Sequence, residues 1–168
     1  MIKSFDGTPT GEGRLRIWTA PEWPLSHLGI AAPGVTTVEW VGRYGHPSGY
    51  GLLGGTLAST EAEVSQPELG RGPFPGNLAA EQAPVFFGLS QKAYWSAVAE
   101  AAPRLTLQVA AEGEVSSSAF VFYRLASMLV SLLADGIPAS DEEVWTHWAT
   151  ATRLAVSWVE KARLERPR

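Results

Sequence analysis

The side chains that could do chemistry in this chain are few and scattered. Its histidines, His27, His46 and His147, fall in three different stretches. None has a second histidine one helical turn away, the spacing that a zinc-binding helix uses, so no metal site is expected. Arg43, Tyr44 and His46 form the tightest group. They sit in the turn-rich segment Gly42–Gly49, where they could hold a phosphate or carboxylate, or simply solvate a hairpin tip. Glu112 and Glu114 flank a glycine. A carboxylate pair does acid–base work only when one member is desolvated, and an exposed turn would keep both ionised. Asp141, Glu142 and Glu143 suit the start of a helix, where negative charge meets the positive end of the dipole. Arg124 interrupts a long apolar run, so it is the candidate buried polar residue. A buried cation needs a partner, either an ion pair within the chain or a ligand. An enzyme would require Arg43, Tyr44, His46 and Arg124 to converge on one cleft with defined mutual geometry.

Motifs with a reaction attached are missing. The sequence has no phosphate-binding loop ending in Gly-Lys-Ser/Thr and no His-Glu-x-x-His. It has no cysteine, which excludes disulfides, thiolate metal sites and a thiol nucleophile. No catalytic residue is assigned and no cofactor is expected. The formal net charge of −4 argues against a DNA partner, which needs a basic patch. The start of the chain lacks the apolar core of a secretion signal, and no apolar run approaches the about 20 residues of a membrane span. A cytoplasmic protein with no membrane partner is expected.

The elements that must position these residues are organised around 105–134. Leu105-Thr-Leu-Gln-Val109 alternates with the period of a half-buried strand. Ser116, Ser117 and Ser118 offer cap hydroxyls, and a nearly all-round apolar helix follows to Ala134, the pattern of a central helix. Phe122, Leu125, Ala126, Leu129 and Leu133 are its expected core residues, with Trp148 and Trp158 from the last helix. Upstream, Arg14–Trp18 reads as a strand, and 35–58 as a β-hairpin whose long tip is 42–49. Gly54 and Gly55 suggest a bulge or close backbone approach. Ser90 would cap a helix to Ala102. Ser140 and Glu143 form a capping box for a last helix to Leu164. Residues 1–13 read as a flexible arm, and 59–84, rich in Pro and Gly, as a long loop. Helix 90–102 and strand 105–109 complete a βαβ unit if 85–89 pairs in the sheet. The chain therefore reads as a single α+β domain over 14–168, an antiparallel-rich or mixed sheet with helices on one face.

Glu114-Val-Ser-Ser-Ser118, followed by Phe122 and Ala126-Ser-Met128, resembles the last strand-to-helix segment of domain IV of elongation factor G-type translational GTPases. Val115, Ser117, Ser118, Phe122, Ala126, Ser127 and Met128 match that family's pattern, and Ser116 stands where the family has Asp. Tyr50-Gly51 is similar to the family's Tyr-Gly after its glycine-rich hairpin, with Leu52 in place of the next His. Gly113 stands where the family carries a tip His. The resemblance covers roughly 35–134. It implies a fold similar to ribosomal protein S5 domain 2 and a domain whose loops reach the ribosomal decoding site. The family's GTPase domain has no counterpart in this sequence. The resemblance thus implies a non-catalytic binding module for a protein or ribosomal surface, with Arg43, Tyr44, His46, Tyr50, Glu112 and Glu114 as candidate contacts. The acidic balance and seven tryptophans suggest a second reading, an inhibitor- or immunity-type protein that masks a basic partner. The first reading requires the tips 42–49 and 110–114 to leave one end of the sheet.

Overall fold

A computed structural model describes residues 2–6, 13–18, 35–42, 49–59, 69–71, 89–112 and 117–167. Six strands form one sheet: β1 (Ile2–Asp6), β2 (Arg14–Trp18), β3 (Thr37–Val41), β4 (Tyr50–Leu57), β5 (Leu69–Arg71) and β6 (Leu105–Glu112). Three helices complete the fold: α1 (Leu89–Ala101), α2 (Ala119–Asp135) and α3 (Asp141–Leu164). The sheet order is β1-β2-β3-β4-β6-β5. Every neighbouring pair is antiparallel except β5 and β6. This is the expected α+β architecture.

Alternation along the strands fixes the faces. Leu15 pairs with Trp40, Ile17 with Val38, Trp40 with Gly51 and Val38 with Leu53, and directly paired residues share a face. That face receives the helices. A Cβ on Gly51 would stand 2.6 Å from Leu125 Cδ1, so glycine there lets α2 seat on the start of β4. α2 lies between α1 and α3. Tyr94 of α1 stacks on Phe122 of α2 with centroids 4.4 Å apart, and Trp148 of α3 meets Trp40 of the sheet at 4.9 Å. Phe122, Leu125, Ala126 and Leu129 are fully buried and Trp148 nearly so, as the apolar arc of the central helix requires. Leu133 and Trp158 are only half-buried. Trp158 lies against Tyr123 instead, centroids 4.7 Å apart.

The helix starts follow local chemistry. Ser118 accepts a hydrogen bond from the Val121 amide and Ser140 one from the Glu143 amide, relieving amides that have no carbonyl within the helix. α1 already includes Leu89, so Ser90 lies inside it rather than capping it. Gly54–Gly55 marks a register shift against β6. A Cβ on Gly55 would collide with the Thr106 carbonyl, so both expected meanings of these glycines hold together.

Two corrections concern stretches with no apolar period. The arm expected at 1–13 contains β1, an edge strand paired along its length with β2. The loop expected at 59–84 contains β5, whose Leu69–Arg71 pairs parallel to Ala110–Glu112. The βαβ unit is therefore β5-α1-β6. Residues 85–88, expected to supply its first strand, lie outside the described residues. None of the described helices is long and apolar enough to cross a membrane.

Candidate functional site

Strand register gathers several chain turns at one end of the sheet. Val41 pairs with Tyr50, and the Gly42 amide donates to the Gly49 carbonyl at 2.5 Å. The base of the 42–49 tip is thereby fixed. Leu52 pairs with Ala111, so β6 runs out beside that base. α2 begins there as well, because the Ser117 hydroxyl donates to the Tyr50 carbonyl at 2.7 Å. Asp6 pairs with Arg14, and Arg14 with Val41, so the β1–β2 connection leaves from the same end. Arg71 pairs with Glu112, which brings the exit of β5 there too. At the opposite end, the Ala58 amide donates to the Arg104 carbonyl and Arg104 Nε donates back to the Ala58 carbonyl.

The expected site residues divide at this end. Arg43, Tyr44, His46 and Glu114 lie outside the described residues. Tyr50 and Glu112 were expected to face a partner, and the structure buries both. Tyr50 is on the sheet face away from α2. Its hydroxyl donates to Glu39 Oε2 at 2.8 Å, while Arg16 Nε donates to Glu39 Oε1 at 2.6 Å. Glu39 is fully buried, so its charge is tolerated because both oxygens are engaged. Burial first, and then the Glu39 charge, holds the Tyr50 phenol well above its ordinary pKa. The polar cluster Arg16–Glu39–Tyr50 is a structural lock across β2, β3 and β4, and sequence reasoning did not find it. The visible signal was an ionisable residue inside the β-branched, apolar run of β3.

Glu112 was expected at an exposed tip. It is instead the last residue of β6 and only 6% exposed. Tyr94 of α1 hydrogen-bonds its carboxylate. Burial and that neighbouring charge raise the Tyr94 phenol above its ordinary pKa. Neither carboxylate of these buried clusters stands free for acid–base work.

Arg124 is buried at 8% exposure, as its place in the central helix required. Its guanidinium carbon lies 4.2 Å from the Trp148 ring centroid, 5.3 Å from Trp40 and 5.4 Å from Phe120. Its Nε donates to the Thr152 hydroxyl at 3.1 Å. Rings from the sheet, α2 and α3 thus surround one cation, which favours the charge through the ring quadrupoles. The arginine joins three elements, β3, α2 and α3. His147 is half-buried on α3. Among the described residues no cluster of His, Asp and Glu is placed to hold a metal ion.

No family model, curated protein or solved structure matches the chain.

Proposed function

We propose that this chain is a non-catalytic binding module of the elongation factor G domain IV kind. It would act in the cytoplasm on a protein or ribosomal surface, through the end of the sheet that gathers the 42–49 and 113–116 connections. The observation that supports this most is the common end itself. The hairpin β3–β4 and the passage from β6 to α2 leave side by side, as the resemblance requires. Arg43, Tyr44 and His46 would meet the partner from one connection, and Glu114 from the other. The burial of Glu112 against Tyr94 removes one of the two carboxylates that would repel an RNA phosphate there. The engagement of Glu39, Glu112 and Arg124 in packed clusters also favours binding over catalysis, since their charges are committed to the fold.

Ribosome co-sedimentation at low and at physiological salt tests this reading. Binding that weakens with salt and falls on Arg43→Glu is expected. Absence of co-sedimentation under both conditions would remove the ribosomal version. The net charge of −4, with Asp141, Glu142 and Glu143 all exposed, favours a second reading, a basic protein partner. A pull-down that recovers a basic protein through these three residues would favour that reading over the ribosome.

A further inference from the structure

We propose that Trp40 is the positioning residue of the binding end: its indole sets where the chain enters β2 and leaves β3. The inference rests on the reading of that end as the binding surface. Two glycines carry it. Arg14 pairs with Val41, so Gly13, just before β2, and Gly42, just after β3, face one another where the ladder ends. They continue the alternation of Leu15 and Trp40, on the face that receives the helices.

Neither glycine has room for a side chain beside the indole. A Cβ on Gly13 would stand 2.6 Å from Trp40 Cη2 and 2.6 Å from the Val41 carbonyl oxygen, and one on Gly42 would stand 2.8 Å from Trp40 Nε1. One ring therefore lies against both glycines and fills the space that their side chains would take. Helical neighbours hold the same ring. Trp148 lies 4.9 Å from it between centroids, Trp145 meets it edge-on at 6.5 Å, and the Arg124 guanidinium carbon is 5.3 Å away. A buried ring packed at interior density cannot shift unless its neighbours move.

The base of the 42–49 tip starts from this packing. The Gly42 amide donates to the Gly49 carbonyl, and a Cβ on Gly42 would also come within 3.2 Å of Gly49 Cα. α2 and α3 thus fix the ring, and the ring fixes the backbone from which the tip departs. A connection whose base is already held loses less conformational freedom on binding than one whose base must be ordered. Trp40 is buried, so it acts on a partner through Gly42 and Gly13 rather than by contact.

The test disturbs the packing from both sides. Trp40→Leu removes the ring, and Gly42→Ala adds a methyl group against it. Leu132→Ala, at a buried position near the far end of α2, is the control that loses core packing only. Amide hydrogen exchange, read by nuclear magnetic resonance, compares position 42 with Gly55, whose amide donates to the Thr36 carbonyl elsewhere in the sheet. In Trp40→Leu and Gly42→Ala the protection of amide 42 should fall about tenfold relative to amide 55. Ribosome affinity of the folded chain should fall by about the same factor. Leu132→Ala should lower the urea midpoint but change neither ratio nor affinity. Unchanged relative protection at position 42 in both variants would overturn the proposal. So would a loss of affinity in Leu132→Ala equal to that in Trp40→Leu, which would make the ring one core residue among others. If the parent itself does not co-sediment with ribosomes, the binding reading fails by itself, and the protection at position 42 decides whether Trp40 holds this end.

Discussion

Removing the Glu39 carboxylate should strand the Tyr50 hydroxyl and take an ion-pair partner from Arg16, and the structure gives the size of the loss. Tyr50 is fully buried and its hydroxyl has Glu39 as its partner. In Glu39→Ala that hydroxyl would keep no acceptor among the described residues, costing about 1–3 kcal/mol. Arg16 would lose its ion-pair partner. Breaking a buried pair from one side costs about 3–5 kcal/mol. Arg16 retains 18% side-chain exposure, so water can reach it and the lower part of that range applies. The expected total is about 4–6 kcal/mol. Tyr50→Phe alone removes one hydrogen bond to a charged group and should cost about 1.5–3 kcal/mol. In the Glu39→Ala background the same Tyr50→Phe change should cost nothing or regain part of the loss, because it removes the stranded hydroxyl. The assay is urea unfolding of the four chains, followed by tryptophan fluorescence and by far-ultraviolet circular dichroism. A coupling of at least about 1.5 kcal/mol is expected. Equal costs for Tyr50→Phe with and without Glu39 would refute the lock.

Three further outcomes follow from the same geometry. Tyr50 and Tyr94 are both held above their ordinary pKa by burial and a neighbouring carboxylate. Their stabilisation is complete below the unfolded phenol value of about 10 and is lost as pH rises from there toward the folded values. The urea midpoint should therefore fall above that pH, and fall less in Tyr50→Phe and Tyr94→Phe; identical profiles would count against the burial of these phenols. Leu129→Ala empties a fully buried site and should cost about 2–5 kcal/mol in the same unfolding assay. Arg124→Lys keeps the charge but loses the flat stacking on Trp148, and should cost about 1–3 kcal/mol; a lysine variant as stable as the parent would show that the rings do not hold the arginine.

The elements with strong apolar periods were legible in the sequence. β2, β3, β4, β6 and all three helices lie close to where alternation, helical spacing and cap residues placed them, because in these segments one face is buried and its side chains must repeat. β1 and β5 were not legible. Ile2-Lys-Ser-Phe-Asp6 lies at the sheet edge next to a Gly- and Thr-rich stretch, and Leu69-Gly-Arg71 is held by backbone pairing to β6. A three-residue strand containing a glycine has no side-chain period to read.

Glu112 was misplaced for a different reason. At the Gly54–Gly55 register shift β6 advances two residues against one of β4, which resets its alternation. Leu107 and Ala110 consequently both join the helix-facing core, and Glu112, two residues beyond Ala110, shares their side. Its partner Tyr94 comes from α1, a contact that no local pattern announces. Arg124 was legible as a buried cation because it breaks an apolar helix. The aromatic identity of its neighbours depends on Trp40, Phe120 and Trp148 meeting from three elements, which only the packing decides.

The claim that binding runs through one end of the sheet can be tested by site-specific photo-crosslinking to ribosomes. A crosslinking side chain is placed at Tyr44 in one chain, and at Arg104, exposed at the opposite end, in another. The account predicts salt-sensitive crosslinks from position 44 and none from position 104. Crosslinks from 104 alone, or equal yields from both positions, would contradict it.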